Sequence, residues 1–167
     1  MRKTCVGASL LLVSVVVAIA ATVVAPGGVA WAAKGLAKLK GQIVVSDQDL
    51  PVMDDEEKMV VELKRLQKAI VEKPKGGDTW SFTMMGFLDR KPATSTLSLL
   101  FYDTAGGKRT YIAGKDISCD PNGQILKANV EITEDDGVKA GMAMDLDLVK
   151  MVGDRAQSLA KAKVTFK

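Results

Sequence analysis

Histidine is absent from the 167 residues of this chain. Its absence excludes Ser-His-Asp and Cys-His catalysis, zinc sites built on imidazole and the imidazole pH switch. An enzyme of this sequence would have to rely on carboxylates, lysines, tyrosines or a thiol. The side chains that remain available for chemistry fall into three classes, which are sulfur-containing, carboxylate and aromatic.

Sulfur is the first class, because thioethers and thiolates are soft ligands that suit Cu(I). Met142 and Met144, together with Cys119, could form a copper site. Both methionines lie on the apolar parity of a predicted strand, however, where methionine commonly fills gaps in a core. A buried Cys119 that acts as a small hydrophobe is the simpler interpretation, although a disulfide between two chains stays open. We therefore expect no metal and no cofactor, and keep a copper carrier as an alternative.

Two carboxylates share one strand face. Asp145 and Asp147 lie two residues apart, so their side chains point the same way. Such a pair could perform acid/base chemistry beside a cleft, as in glycosidases. A solvated acidic face that discourages association between sheet edges is a simpler explanation. We expect the solvated face, with a small carboxylate-dependent hydrolase as the alternative.

Aromatic and basic side chains meet around one predicted turn. Tyr102 and Tyr111 flank Gly106 and Gly107, so a hairpin would bring the two rings close together, with Lys108 and Arg109 beside them. These four side chains are the best candidate for a weak ligand or partner patch. The competing interpretation is a cross-strand aromatic pair that only stabilises the sheet.

The first 32 residues read as a secretory signal peptide. Arg2 and Lys3 precede an uncharged apolar run over residues 6–25, and Ala30 and Ala32 fit the small-x-small cleavage rule. We expect cleavage after Ala32 and a single exported domain over residues 33–167, in the periplasm or outside the cell. The alternative is an uncleaved anchor, which would be the only link to a membrane, because the apolar run approaches the about 20 residues that span a bilayer.

The charge balance argues against nucleic acid as a partner. The leader contains two of the 23 basic residues and none of the 20 acidic ones, so the domain without it has a net charge of +1. Binding to nucleic acid needs clustered lysine and arginine that displace counterions. A chain of this length can bury about two thirds of its unfolded surface without a disulfide.

One helix is predicted near the beginning of the domain. Apolar residues at Met59, Leu63, Leu66 and Ile70 follow helical spacing, and acids cluster at the start, where they favour the helix dipole. We expect a helix over about 55–72 that packs its apolar stripe on the rest of the domain.

The remainder of the sequence alternates with period two between turn signals, with one strand before the helix and six after it. This pattern predicts a mainly β protein, with Trp80 as an anchor of the core. We favour an antiparallel β-sandwich of about seven strands crossed by the N-terminal helix, and a small β-barrel is the alternative.

These observations predict a non-enzymatic binding or structural module of the bacterial envelope, because no nucleophile motif, phosphate loop or metal-ligand spacing is present. Its partner would be a protein or a small ligand of the envelope. The sequence identifies neither the partner nor the oligomeric state.

Overall fold

The computed structural model describes residues 35–167, and the predicted leader with its cleavage site lies outside this range. The described chain contains eight β-strands and one α-helix, so the predicted mainly β class with a single helix is confirmed. The strands are β1 (Gln42–Ser46), β2 (Ile70–Val71), β3 (Thr79–Phe87), β4 (Thr96–Asp103), β5 (Thr110–Ser118), β6 (Ile125–Thr133), β7 (Ala143–Val152) and β8 (Arg155–Phe166), and the helix is α1 (Glu56–Leu66).

All eight strands belong to one sheet. Its order is β5-β4-β7-β8-β1-β3-β6, and β2 pairs with β8 beside this path. The sheet curls into a nearly closed barrel, which corresponds to the barrel alternative and not to two stacked layers. Alternation places apolar side chains inside and polar ones outside in a barrel and in a sandwich alike. The period of two therefore could not distinguish the two folds.

Most strand pairs are antiparallel, as predicted, but β8 runs parallel to β1 and to β2. The direction of β8 is set by its hairpin with β7, which pairs antiparallel with β4. On its other side, β8 meets β1 in the parallel sense. The result is a mixed sheet with its last strand in the middle.

The barrel interior contains the main core. Trp80, Phe101 and Phe166 are fully buried there, and the Trp80 indole N–H donates to the backbone oxygen of Lys167 at 2.8 Å. The Trp80 and Phe166 rings meet edge to face, with centroids 5.7 Å apart. Trp80 is therefore the predicted core anchor, and its polar atom is satisfied despite the burial.

A second core lies outside the barrel under the helix. Met59, Leu63 and Leu66 pack against Val44 and Met85, which project from the outer face of β1 and β3. Asp55 caps the helix by accepting a hydrogen bond from the Lys58 N–H at 3.0 Å.

The helix ends at Leu66, earlier than the predicted residue 72. The chain leaves the helical path because the next residues bond to strands. The Lys68 N–H donates to the Val45 oxygen at 2.8 Å, and Ile70 and Val71 form β2. These strand bonds replace the helical ones that the apolar spacing alone had predicted.

The barrel does not close by strand pairing, because β5 and β6 form the two ends of the sheet. Side chains bridge this seam at one point. Lys115 of β5 binds both carboxylate oxygens of Asp136 at 3.0 Å, and Asp136 in turn accepts the Thr133 N–H at the end of β6.

Within residues 35–167, no helix combines the length and the apolar character that a membrane crossing requires.

Candidate functional site

Asp147 is the centre of a polar cluster on the outer face of β4, β7 and β8. Its side chain is only 6% exposed. Its Oδ1 accepts the Ser158 hydroxyl at 2.6 Å, and its Oδ2 accepts Arg109 Nη2 at 2.8 Å. The prediction of a solvated carboxylate pair is therefore wrong for Asp147, because Arg109 folds back from the β4–β5 hairpin and covers it.

Arg109 joins three groups. Its guanidinium carbon lies 3.7 Å from the centre of the Tyr102 ring, which is a cation–π contact. Its Nε also lies 3.8 Å from Oδ2 of Asp145, in addition to the closer bond to Asp147. The planar guanidinium is thus held on its face by an aromatic ring and at its edge by carboxylates.

Tyr111 stands beside this arrangement. It is opposite Tyr102 in the β4–β5 register, with ring centroids 5.9 Å apart and planes at 73°. A β-carbon placed on Gly114 would lie 3.1 Å from the Tyr111 hydroxyl, so the missing side chain of that glycine leaves room for the ring. Tyr111 remains 58% exposed.

We call Tyr102, Arg109 and Tyr111 the tyrosine–arginine patch. The structure brings these three predicted residues into contact, whereas Lys108 is exposed at the tip of the hairpin. The same geometry adds Asp145 and Asp147, which the sequence analysis had treated as a separate site. Combining strand parity with the order of strands would have revealed the link, but that order was not readable from the sequence.

The cluster is arranged for fixed electrostatic contacts. Both oxygens of Asp147 accept short hydrogen bonds, so a substrate would have to displace Arg109 to reach it. Oδ1 of Asp145 is buried without a hydrogen-bond partner in the described part of the chain. Asp147 thus has both oxygens occupied and the unpartnered oxygen of Asp145 is buried, so the pair does not present two accessible carboxylates across a cleft, as glycosidases do.

The sulfur-containing candidates lie apart. Met144 pairs with Asp103 at the end of β4, while Cys119 follows the residue that pairs with Thr96 at its start. Seven steps along a strand separate these positions by about 23 Å. One metal ion therefore cannot bind Cys119 and Met144 together.

Core packing or a hydrogen bond also accounts for each of these sulfur-containing side chains. Met144 is buried in the core, and Met142 packs against it while its sulfur accepts the Lys139 N–H at 3.1 Å. The Cys119 thiol lies 3.1 Å from the backbone oxygen of Thr94. Burial, with a smaller contribution from the Asp120 charge, raises the pKa of this thiol. Across residues 35–167, no group of three or more acidic or cysteine side chains is placed to hold a metal ion.

Comparisons of the chain with protein-family models, with curated proteins and with solved structures found no match.

Proposed function

We propose that the protein is an exported, non-enzymatic binding module of the bacterial envelope, and that it recognises a protein partner through the tyrosine–arginine patch. The observation that carries this proposal is the exposed Tyr111 ring. It packs edge to face against Tyr102 and lies over Gly114, which has no side chain to displace it. Tyrosine offers a large contact area with few rotatable bonds, so an ordered tyrosine loses little entropy on binding.

The electrostatics of the cluster favour binding over catalysis. Arg109 stacks on Tyr102 and donates a hydrogen bond to Asp147, and Asp147 also accepts a hydrogen bond from Ser158. These contacts fix the surface in one conformation before any partner arrives. Binding gains from such preorganisation, because fewer groups have to be ordered in the complex.

The place of the patch in the sheet favours an extended partner. Tyr111 belongs to β5, which pairs only with β4 among the described strands, so one edge of β5 carries backbone groups free to bond a further strand. Lys108 adds an exposed positive charge at the same end of β5. We therefore propose that the partner contributes an extended, acidic segment.

Export is proposed from the leader, whose basic residues, apolar run and Ala30-x-Ala32 site follow the signal-peptide pattern. Expression of the full chain in a bacterial host should give a mature protein that starts at Ala33. Intact mass measurement of the protein from the periplasmic fraction tests this point. An unprocessed protein that stays in the membrane fraction would support the anchor alternative instead.

Site-directed photo-crosslinking tests the binding proposal. A photoreactive benzoylphenylalanine replaces Tyr111 in one variant and Glu131, which is exposed on β6, in the matched control. After irradiation of cells, we expect a discrete adduct from position 111, identified by mass spectrometry as a protein with an acidic segment, and none from position 131. No adduct at 111, or identical adducts at both positions, would contradict the proposal.

A further inference from the structure

The sheet opens between β1 and β8, which meet in the parallel sense. These two strands share a single pair, Gln42 with Lys161, and the next pair of a parallel ladder, Val44 with Lys163, is not formed. Further along, β8 takes β2 as its partner, through Ile70 and Thr165. The strand therefore changes its neighbour within a few residues and leaves a gap at the change.

The chain between α1 and β2 lies in this gap and bonds to the strand on each side. The Lys68 N–H donates to the Val45 oxygen on one side, and the Ala69 oxygen accepts the Thr165 N–H on the other, both at 2.8 Å. Hydrogen bonds on both sides hold the two strands apart. The opening is thus a fixed feature of the backbone.

The gap forms a cleft of about 330 Å³, a size that suits a small ligand. We call it the β1–β8 cleft. Its polar lining consists of three lysines and two glutamines, and its apolar lining of aliphatic residues of the same strands. The polar residues are Gln42, Gln67, Lys68, Lys161 and Lys163.

The positive charges of the cleft lysines are only weakly balanced by nearby carboxylates. Lys161 lies 3.9 Å from Asp147, whose oxygens already accept closer donors, and Lys68 lies 3.9 Å from Asp47. Asp145 is opposite Lys163 in the β7–β8 register, yet no carboxylate of residues 35–167 comes within 4.0 Å of the Lys163 ammonium.

The backbone of β8 adds a hydrogen-bond donor. The N–H groups of Lys161 and Thr165 both point to the β1 and β2 side of β8, where they bond to Gly41 and Ala69. Since alternate residues of a strand point the same way, the N–H of Lys163 between them faces the cleft as well. A backbone N–H group and three lysines that line one cleft supply the kind of charge-assisted donors that bind an anion.

We infer that the β1–β8 cleft binds a small anion with more than one negative charge, of the phosphate or polycarboxylate class. Lysine ammonium groups serve such ligands as point charges and do not require the planar geometry that arginine selects. The inference goes beyond the proposed protein-binding function, because no residue of the tyrosine–arginine patch lines the cleft.

The experiment is a titration of the ¹⁵N-labelled domain, residues 33–167, at constant ionic strength, followed by amide chemical shifts. Sodium pyrophosphate and sodium citrate are the two probes, and sodium acetate is the monovalent control. We expect saturable shifts centred on Gln42, Ala162 and Lys163 with at least one of the two probes. The probe that binds more tightly identifies the phosphate or the carboxylate source.

Variants locate the site. Changing both Lys161 and Lys163 to Gln should weaken binding by about a hundredfold, at about tenfold per lost charge-assisted contact. Lys91→Gln is the matched control, because Lys91 is exposed and does not line the cleft. If the double variant fails to fold, the positions of the amide shifts in the unaltered protein still show whether the anion binds in the β1–β8 cleft. Shifts that acetate reproduces, that never saturate, or that centre outside the cleft would overturn the inference.

Discussion

Arg109 Nη2 and Asp147 Oδ2 lie 2.8 Å apart although 38 residues separate them in the chain. The contact ties the β4–β5 hairpin to the middle of the sheet. It also explains why an aspartate can be buried on β7, since the guanidinium and the Ser158 hydroxyl satisfy both of its oxygens. The relationship leads directly to the first prediction.

Replacing Asp147 by Asn should destabilise the protein. The amide keeps the shape of the side chain but loses the charge that Arg109 faces, so we expect a loss of about 2 kcal/mol in the free energy of unfolding. Urea denaturation followed by tryptophan fluorescence measures this. Asp154→Asn in the exposed β7–β8 turn is the control and should change stability little. Equal effects of both substitutions would show that the Arg109 contact contributes nothing.

The contact between Gly114 and Tyr111 predicts a coupled pair of substitutions. A β-carbon at residue 114 would lie 3.1 Å from the Tyr111 hydroxyl and 3.2 Å from a methyl group of Leu100. Gly114→Ala should therefore cost more stability in the natural protein than in a Tyr111→Phe background, where the hydroxyl is gone. A double-mutant cycle should give a coupling of about 0.5–1 kcal/mol. A coupling of zero would mean that the ring moves away freely.

Acid should loosen the seam between β5 and β6. The backbone N–H of Thr133 is the main cause that lowers the pKa of Asp136, and the Lys115 ammonium lowers it further. A carboxyl whose pKa is lower in the folded state stabilises the fold above its unfolded pKa, about 3.9. This stabilisation is lost as the pH falls through the lower, folded pKa. We expect amide hydrogen exchange in β5 to accelerate, relative to the barrel core, as the pH falls below about 4.

Asp136→Asn provides the matching test of the seam. In this variant the β5 amides should already exchange faster at neutral pH, and the acid-dependent increase should shrink. Asp135→Asn, one residue away and exposed, is the control and should keep the acid dependence. If the Asp136 variant retains the whole acid response, another group is responsible for it.

The Cys119 thiol should react slowly with alkylating reagents. Burial raises its pKa, so the nucleophilic thiolate is scarce near neutral pH. We expect the reaction with iodoacetamide at pH 8 to be at least about tenfold slower in the folded protein than in urea. Mass spectrometry of timed samples gives both rates. A folded-state rate equal to the unfolded one would indicate an accessible, reactive cysteine.

The sequence predicted the parts of the fold that follow from local periodicity. The burial of Trp80 is confirmed by the structure, and so is the start of the helix, which is capped by Asp55. The helix end was misplaced because Ile70 continues the apolar spacing while its backbone pairs with Thr165. That pairing is a long-range contact, which no local pattern encodes.

The candidate site shows the same division. The proximity of Tyr102 and Tyr111 followed from a hairpin and could be predicted. The contact of Arg109 with Asp147, and the cleft beside Lys163, depend on which strands are neighbours in the sheet. Strand order is set by the packing of the whole barrel, so these features became visible only with the structure.

The position of β8 between β7 and β1 has a consequence for the way the protein folds. The pairing of Gln42 with Lys161 joins the first described strand to the last, so the chain must close a very long loop before the two halves of the barrel are joined. Such a topology has a high contact order, and loop-closure entropy makes its folding slow, in the range of milliseconds to seconds. A nascent chain that lacks β8 would expose its unfinished interior, so the barrel forms only after nearly all of the domain has been synthesised.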